Sequence, residues 1–275
     1  MRISPRYDGP ALIDVDGTPD DQLLPVTRQR RRFEAMLRDL DDDAWRASSR
    51  CDAWSVQDVA AHLVGVNAFW QMSIAAGIDG APTRVLVGFD PAATPEQLIA
   101  PMRALPPADV FEQLVASHDG LLGALAELDA AQWQAPAESP PGHVPIRVLA
   151  SHALWDCWIH ERDVALPLGL ATPVEADEVA SSLRYAAALG PGFLLMAGRD
   201  VGGAYGVEAR DPDLQFWVEI DDSVRVHDGT PPPGAPCLRG DTVALTEALS
   251  VRGPLPDDTP DEWRALLGGL TTAFS

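Results

Sequence analysis

The chain has 275 residues, 46% of them hydrophobic, and a formal net charge of −21 at pH 7. That length accommodates two ordinary domains with sizeable cores, in a composition typical of a soluble globular protein. So large a negative charge argues against sequence-independent binding to nucleic acid or to an anionic membrane, and the longest apolar runs read as too short to span a bilayer.

The opening stretch, MRISPRYDGPALIDVDG, lacks the apolar centre of a signal peptide. Cys51, Cys157 and Cys237 fit no disulfide framework, which points to a reducing cytoplasm. With no Cys-x-x-Cys pair, a thiolate-rich structural zinc site is excluded.

Residues 1–25, rich in Pro, Gly and Asp, read as an extended, loosely packed arm. A first helix follows from about Val26 to Asp41, with Phe33, Met36, Leu37 and Leu40 on one face. Its arginines, Arg28, Arg30, Arg31 and Arg32, read as a solvated face in so acidic a chain. Ser55, followed three residues on by Asp58, has the spacing of a capping box. It opens a second helix that runs to about Ala76 and stops at Gly77. The inward stripe of that helix is Val59, His62, Val66, Phe69 and Trp70, so His62 lies on the apolar face. A histidine there is either a hydrogen-bonded core residue or a ligand.

Residues 78–106, broken repeatedly by proline, read as a long connection with a short helix near 95–104. A third helix spans about 108–129, with Val110, Leu114, Leu121, Leu122, Leu125 and Leu128 inward and His118 in a structural position. Residues 136–145, including His143, read as a turn-rich link. The fourth helix, about Val144 to Leu166, carries the most informative pattern. His152, Asp156 and His160 are spaced by four and therefore share one stripe. Two imidazoles around a carboxylate, amid tryptophans, read two ways. They form a hydrated or salt-bridged face, or they ligate an ion such as zinc with a further ligand from elsewhere in the fold. Four helices with a long crossover make a bundle, where facing side chains build metal sites.

Beyond Gly169 the pattern changes. A helix at about 174–189 should end at Gly190-Pro191-Gly192; AYGVEA, LQFWVEI and SVRVHDG then alternate as strands. CLRG reads as a short strand, Asp241 starts a helix, and a last helix spans about Pro260 to Leu267. The predicted division is an arm (1–25), a four-helix bundle (26–169) and an α+β domain (173–275).

Three stretches carry a family resemblance. CDAWSVQDVAAHL and HALWDCWIHERDVA resemble motifs of the mycothiol-dependent maleylpyruvate isomerase family of DinB-like bundles. LRGDTVALTEALSVRG is similar to that family's C-terminal module, a small sterol-carrier-protein-like unit. The match follows most of residues 26–270 in element order. It implies a two-domain α+β fold, with zinc held by His62, Asp156 and His160 and a fourth position open to water or a thiol cofactor, mycothiol. Ligating atoms sharing one ion should then lie within about 4 Å of one another. The implied chemistry is that of an isomerase or S-transferase acting on a small electrophile such as an unsaturated keto acid. In an isomerase the thiolate adds to the activated double bond, permits rotation and leaves.

The resemblance also places Arg252 near the active site, where it would bind a substrate carboxylate; the residue equally fits a charge complementing a helix C-terminus. Asp163 matches the motif's final Asp and implies support of the ligands rather than ligation. Cys51 and Cys157 read as small buried packing residues. The chain departs from the pattern at Asp156, where Glu is usual, and at His152, where Arg is usual. His152 is therefore an alternative third ligand. The second functional reading, kept open by those departures, is a non-catalytic metal- or ligand-binding module in stress response or regulation.

Overall fold

The computed structural model describes residues 3–18, 20–91 and 93–274. The arm is not loose. Ile13–Val15 form strand β1, and Ile3, Leu12 and Ile13 are buried. Helix α1 (Asp20–Arg38) starts at Asp20 rather than Val26 and carries Pro25 inside it. Its arginine run is a solvated face only in part, at Arg31. Arg30 is buried in the bundle, donating to the Ala153 carbonyl at 3.1 Å. Arg32 reaches Glu161 and Glu178, each at 2.7 Å. An arginine can cover such positions because its guanidinium spans several acceptors at once.

A short helix α2 (Asp42–Arg46), capped by Asp41, precedes α3 (Val56–Ile78). The capping box forms as its spacing predicts. Ser55 N donates to Asp58 Oδ2 at 2.9 Å, and Asp58 N donates to Ser55 Oγ at 3.2 Å. A cap of this kind contributes about 1 kcal/mol. Gly77 does not stop the helix: a Cβ there would lie 2.3 Å from the Pro136 carbonyl oxygen, so glycine allows the close approach of the next hairpin. By length and composition α3 could cross a membrane; here it is a central bundle helix, with Val59, Leu63, Trp70 and Ile74 buried.

The connection forms helix α4 (Ala93–Ile99) and a 3-10 turn over Ala100–Ala104, leading to α5 (Pro107–Ala126). The predicted turn-rich link is a β-hairpin, β2 (Pro136–Ser139) with β3 (Gly142–Pro145). It feeds α6 (Ile146–Ala165), which is buried along nearly its whole length. Helices α1, α3, α5 and α6 make the bundle. Fully burying each leucine or valine of its interior contributes about 1.5–3 kcal/mol.

Helix α7 (Ala176–Met196) runs through Gly190-Pro191-Gly192 instead of ending there. Tertiary packing overrides the local breakers: a Cβ on Gly190 would lie 2.7 Å or less from the carbonyl oxygens of Leu266 and Leu267. Strands β4 (Gly203–Arg210), β5 (Leu214–Ile220), β6 (Val224–Asp228) and β7 (Cys237–Asp241) follow. With β1 they form one sheet in the order β1-β6-β5-β4-β7, its two edge strands parallel to their neighbours and the inner pairs antiparallel. Helices α8 (Thr242–Leu249), α9 (Asp261–Leu267) and α10 (Gly269–Phe274) close the chain. α7 packs on α6 on one side and on the sheet on the other, so a single apolar core continues from Trp158 through Leu183 to Phe216 and Val218.

Candidate metal centre

Two helices deliver the site. The Ser55 cap sets the start of α3 and so places His62 two turns inside it. α6 supplies His152, Asp156 and His160 on one stripe; Asp156 and Arg147 are half-buried and the rest of the helix is buried. His62 Nε2 lies 3.9 Å from Asp156 Oδ2, and His160 Nε2 lies 3.6 Å from Asp156 Oδ1. One ligating atom from each of the three residues falls within 4.8 Å of the others. This is somewhat wider than the roughly 3.3 Å between ligands in a tetrahedron with bonds of about 2.0 Å. Asp156, although one methylene shorter than Glu, reaches both imidazoles.

The donor set fits a divalent ion on a further ground. Asp156 Oδ2 is sealed from solvent and has no hydrogen-bond partner. An orphaned buried carboxylate oxygen is costly, and a cation between it and His62 would remove that cost. Burial alone would raise the Asp156 pKa, but the imidazoles of His62, His160 and His152 outweigh it and hold the carboxyl below the usual carboxylate range.

His160 is oriented from behind. Its Nδ1 is 3.2 Å from Asp163 Oδ2 and 3.6 Å from Cys51 Sγ, leaving Nε2 toward Asp156. A carboxylate on the far nitrogen is the usual way a ligating histidine is fixed in tautomer and direction. Burial opposes charging of this imidazole, but Cys51, Asp163 and Asp156 together raise its pKa well above the ordinary value. Asp163 itself is fully buried and carries two guanidinium groups. Arg50 Nε donates at 3.1 Å, and Arg252 donates through Nε at 2.9 Å and Nη2 at 3.0 Å. Burial would raise its pKa too; His160 and Arg252 more than offset this and keep it ionised.

Arg252 thus holds a carboxylate of the chain through Nε and Nη2. It stands just past α8, after Val251, whose φ of 59° is left-handed and strained for a β-branched residue. Cys51 packs against the core of the bundle, as its reading as a packing residue expects, but also reaches the site. It is half-buried, with Sγ 3.1 Å from Asp163 and 3.6 Å from Arg252 Nη2. Cys51, His160 and Asp163 also lie close enough to form a ligand set. Two fixed guanidiniums on Asp163 make that second set a poor seat for a cation and a good support for the first. Cys157 is fully buried, and burial pushes its thiol up to about 12.

His152 stands apart from the three convergent residues. It is buried against Trp70, Trp155 and Tyr185, and its Nδ1 lies 2.6 Å from the Tyr185 hydroxyl. Burial pushes its pKa down to about 4. Tyr185, Arg50 and the hydrogen bond from Trp155 Nε1 to Ser250 Oγ at 2.8 Å escaped sequence reasoning, because each depends on a distant segment docking on α6: α7, the loop before α3, or the C-terminal elements.

A helical bundle presenting two histidines and a carboxylate toward one point, closed by an α+β module, defines the class. The family described as "Mycothiol maleylpyruvate isomerase N-terminal domain" matches residues 26–165, and the chain belongs to this family of enzymes. Two solved structures share the fold, that of a mycothiol-dependent maleylpyruvate isomerase and that of a histidine-to-alanine mutant of such an enzyme. Each has a TM-score of 0.62, at 15% and 14% identity, covering 86% of this chain and 91% of theirs. Among curated sequences, Uncharacterized protein Rv0738 and Uncharacterized protein MT0763 of Mycobacterium tuberculosis are each 26% identical over 174 residues, 63% of this chain and 82% of theirs.

Proposed function

We propose that this chain is a metal- and low-molecular-weight-thiol-dependent enzyme, an isomerase or S-transferase acting on a small electrophile such as an unsaturated keto acid. In this reading zinc is the metal, held by His62, Asp156 and His160, and mycothiol is the thiol. The observation that carries it is the convergence of those three side chains around the unpartnered Asp156 Oδ2. Three protein ligands leave a position open, and an ion bound there would lower the pKa of a coordinated thiol or water. The rest falls to the chain's own residues. Asp163 presents His160 Nε2 to the site, and Arg50 and Arg252 donate to Asp163 and hold it in place. Trp54, its ring 5.2 Å from that of His62, packs against one flank of the site. Residues 26–169 act as the ligand-bearing bundle, and residues 173–275 close the site through Arg252. The free thiols suit a reducing cytoplasm. Membership of the family and the thiol named for the solved neighbours support the choice of cofactor.

The test is twofold. The purified full-length protein should hold about one divalent ion per chain. Turnover of a panel of small electrophiles should require both that ion and added mycothiol. A metal-loaded protein that transforms none of the panel with thiol present would overturn the enzymatic reading and leave the metal-binding module.

A further inference from the structure

A second polar chain reaches the site from α7. Tyr185 is fully buried, and its hydroxyl lies 2.6 Å from His152 Nδ1. Ser139 of β2, also buried, sits 3.5 Å from the same nitrogen. Each buried hydroxyl proton needs an acceptor. Among the described residues His152 Nδ1 is the acceptor within hydrogen-bonding distance of either hydroxyl, and the phenol, at 2.6 Å, donates to it. Were Nδ1 protonated, neither hydroxyl proton would have an acceptor among the described residues. An imidazole that accepts at Nδ1 is neutral and carries its proton on Nε2.

That proton is not used by the fold. Among the described residues no group accepts from His152 Nε2, and the atom is not one of those sealed away without a partner. His152 stands one turn before Asp156, and helical side chains lean toward the helix N-terminus, so the Asp156 carboxylate leans over the imidazole. Trp70 and Trp155 pack edge-on against the ring, with centroids 4.8 Å and 5.4 Å away, and hold its plane.

We propose that His152 Nε2–H, oriented by Tyr185 and Ser139, donates a hydrogen bond to an uncharged oxygen acceptor, a ketone or amide carbonyl, on the molecule bound beside Asp156. The inference rests on the assignment of His62, Asp156 and His160 as the metal ligands. The acceptor is uncharged because a neutral imidazole offers no charge to a second anion, and the Asp156 carboxylate repels one. Tyr185 is a positioning residue that acts through His152.

Two measurements test this. Long-range proton–nitrogen spectra of the full-length protein, labelled at histidine, should show His152 protonated at Nε2 and bare at Nδ1. Tyr185→Phe, which removes only the hydroxyl, should lose that preference. A proton on Nδ1 in the wild type overturns the proposal. The second measurement loads the protein with cobalt and follows thiol binding by its sulfur-to-metal absorption, comparing 2-mercaptoacetamide with 1-propanethiol. The carbonyl-bearing thiol should bind about 2- to 10-fold tighter, the worth of one neutral hydrogen bond. That advantage should vanish in His152→Phe and be partly restored in His152→Gln. An advantage unchanged in His152→Phe sinks the inference while leaving the metal site intact. Loss of cobalt from His152→Phe would make His152 a ligand and overturn it equally. Failure of the wild type to bind cobalt at all would remove the metal assignment and this inference with it.

Discussion

The bundle contains two buried histidines whose Nδ1 meets a buried carboxylate, and they do opposite things. His118 on α5 lies 2.8 Å from Glu34 on α1; His160 on α6 lies 3.2 Å from Asp163. The pairs differ in what the other nitrogen finds. His118 Nε2 is sealed in the bundle with no partner, whereas His160 Nε2 faces Asp156, with His62 beyond it. Burial pushes His118 down to about 4, with Arg30 and Arg31 adding to that and Glu34 opposing it. Three anionic or polarisable neighbours push His160 up instead. A histidine–carboxylate pair is therefore not by itself the mark of a metal site; convergence at the far nitrogen is.

Substitution at the far side of each pair should separate them most sharply. His62→Ala is expected to lower divalent-metal affinity by more than about 100-fold, beyond the range typical of a supporting residue, with the bundle still folded. His118→Ala should leave that affinity unchanged and instead destabilise the fold by about 2–4 kcal/mol, through a core cavity and the loss of the buried hydrogen bond to Glu34. Metal titration against a competing chelator, with thermal melts of both variants, checks the pair. Metal loss in His118→Ala would erase the distinction.

The next contrast lies within the site. Asp156→Asn should cost more metal affinity than Asp163→Asn, because a neutral amide is a poorer ligand than a carboxylate. The latter should cost about 10–100-fold, as for other supports of ligating histidines. A greater loss in His152→Ala than in Asp156→Asn would show that the third ligand had been misassigned.

The two pairs should also differ in how acid affects them. His118 is neutral in the fold at about 4 and charges near its ordinary value of ~6.5 when unfolded. The unfolded chain then binds more protons over that window. Stability from this group is complete above ~6.5 and is lost as pH falls toward about 4, by roughly 1.5 kcal/mol between pH 6.5 and pH 5. Glu34, whose carboxyl is held below its ordinary range by His118 and Arg31 against the effect of burial, loses stability in the same direction at lower pH. Denaturant midpoints against pH should be flatter in His118→Gln; equal slopes in the two proteins would contradict the assignment.

The smallest expected effect concerns how Arg252 reaches Asp163. Val251 holds a left-handed φ of 59°, so Val251→Gly should be neutral to stabilising by up to about 1 kcal/mol. An exposed valine in ordinary backbone would lose stability on the same change. A drop in melting temperature would show that the bend is not strained.

Much of this molecule was legible in one dimension. The Ser55 cap, the 3.6-residue stripes of α3, α5 and α6, and the alternation of β4 to β6 depend on neighbours a few residues apart, so local pattern suffices. The same periodicity put His152, Asp156 and His160 on one stripe and His62 on an apolar face. What it could not decide was which of them meet. The pairing of His62 with Asp156, the engagement of His152 by Tyr185, the descent of Arg252 onto Asp163 and the place of Cys51 beside it join residues 33 to 201 positions apart. The arm's strand and the passage of α7 through Gly-Pro-Gly have the same origin. In each, burial against a distant surface outweighs a local preference of about 1 to 3 kcal/mol, and only the packed fold supplies that surface.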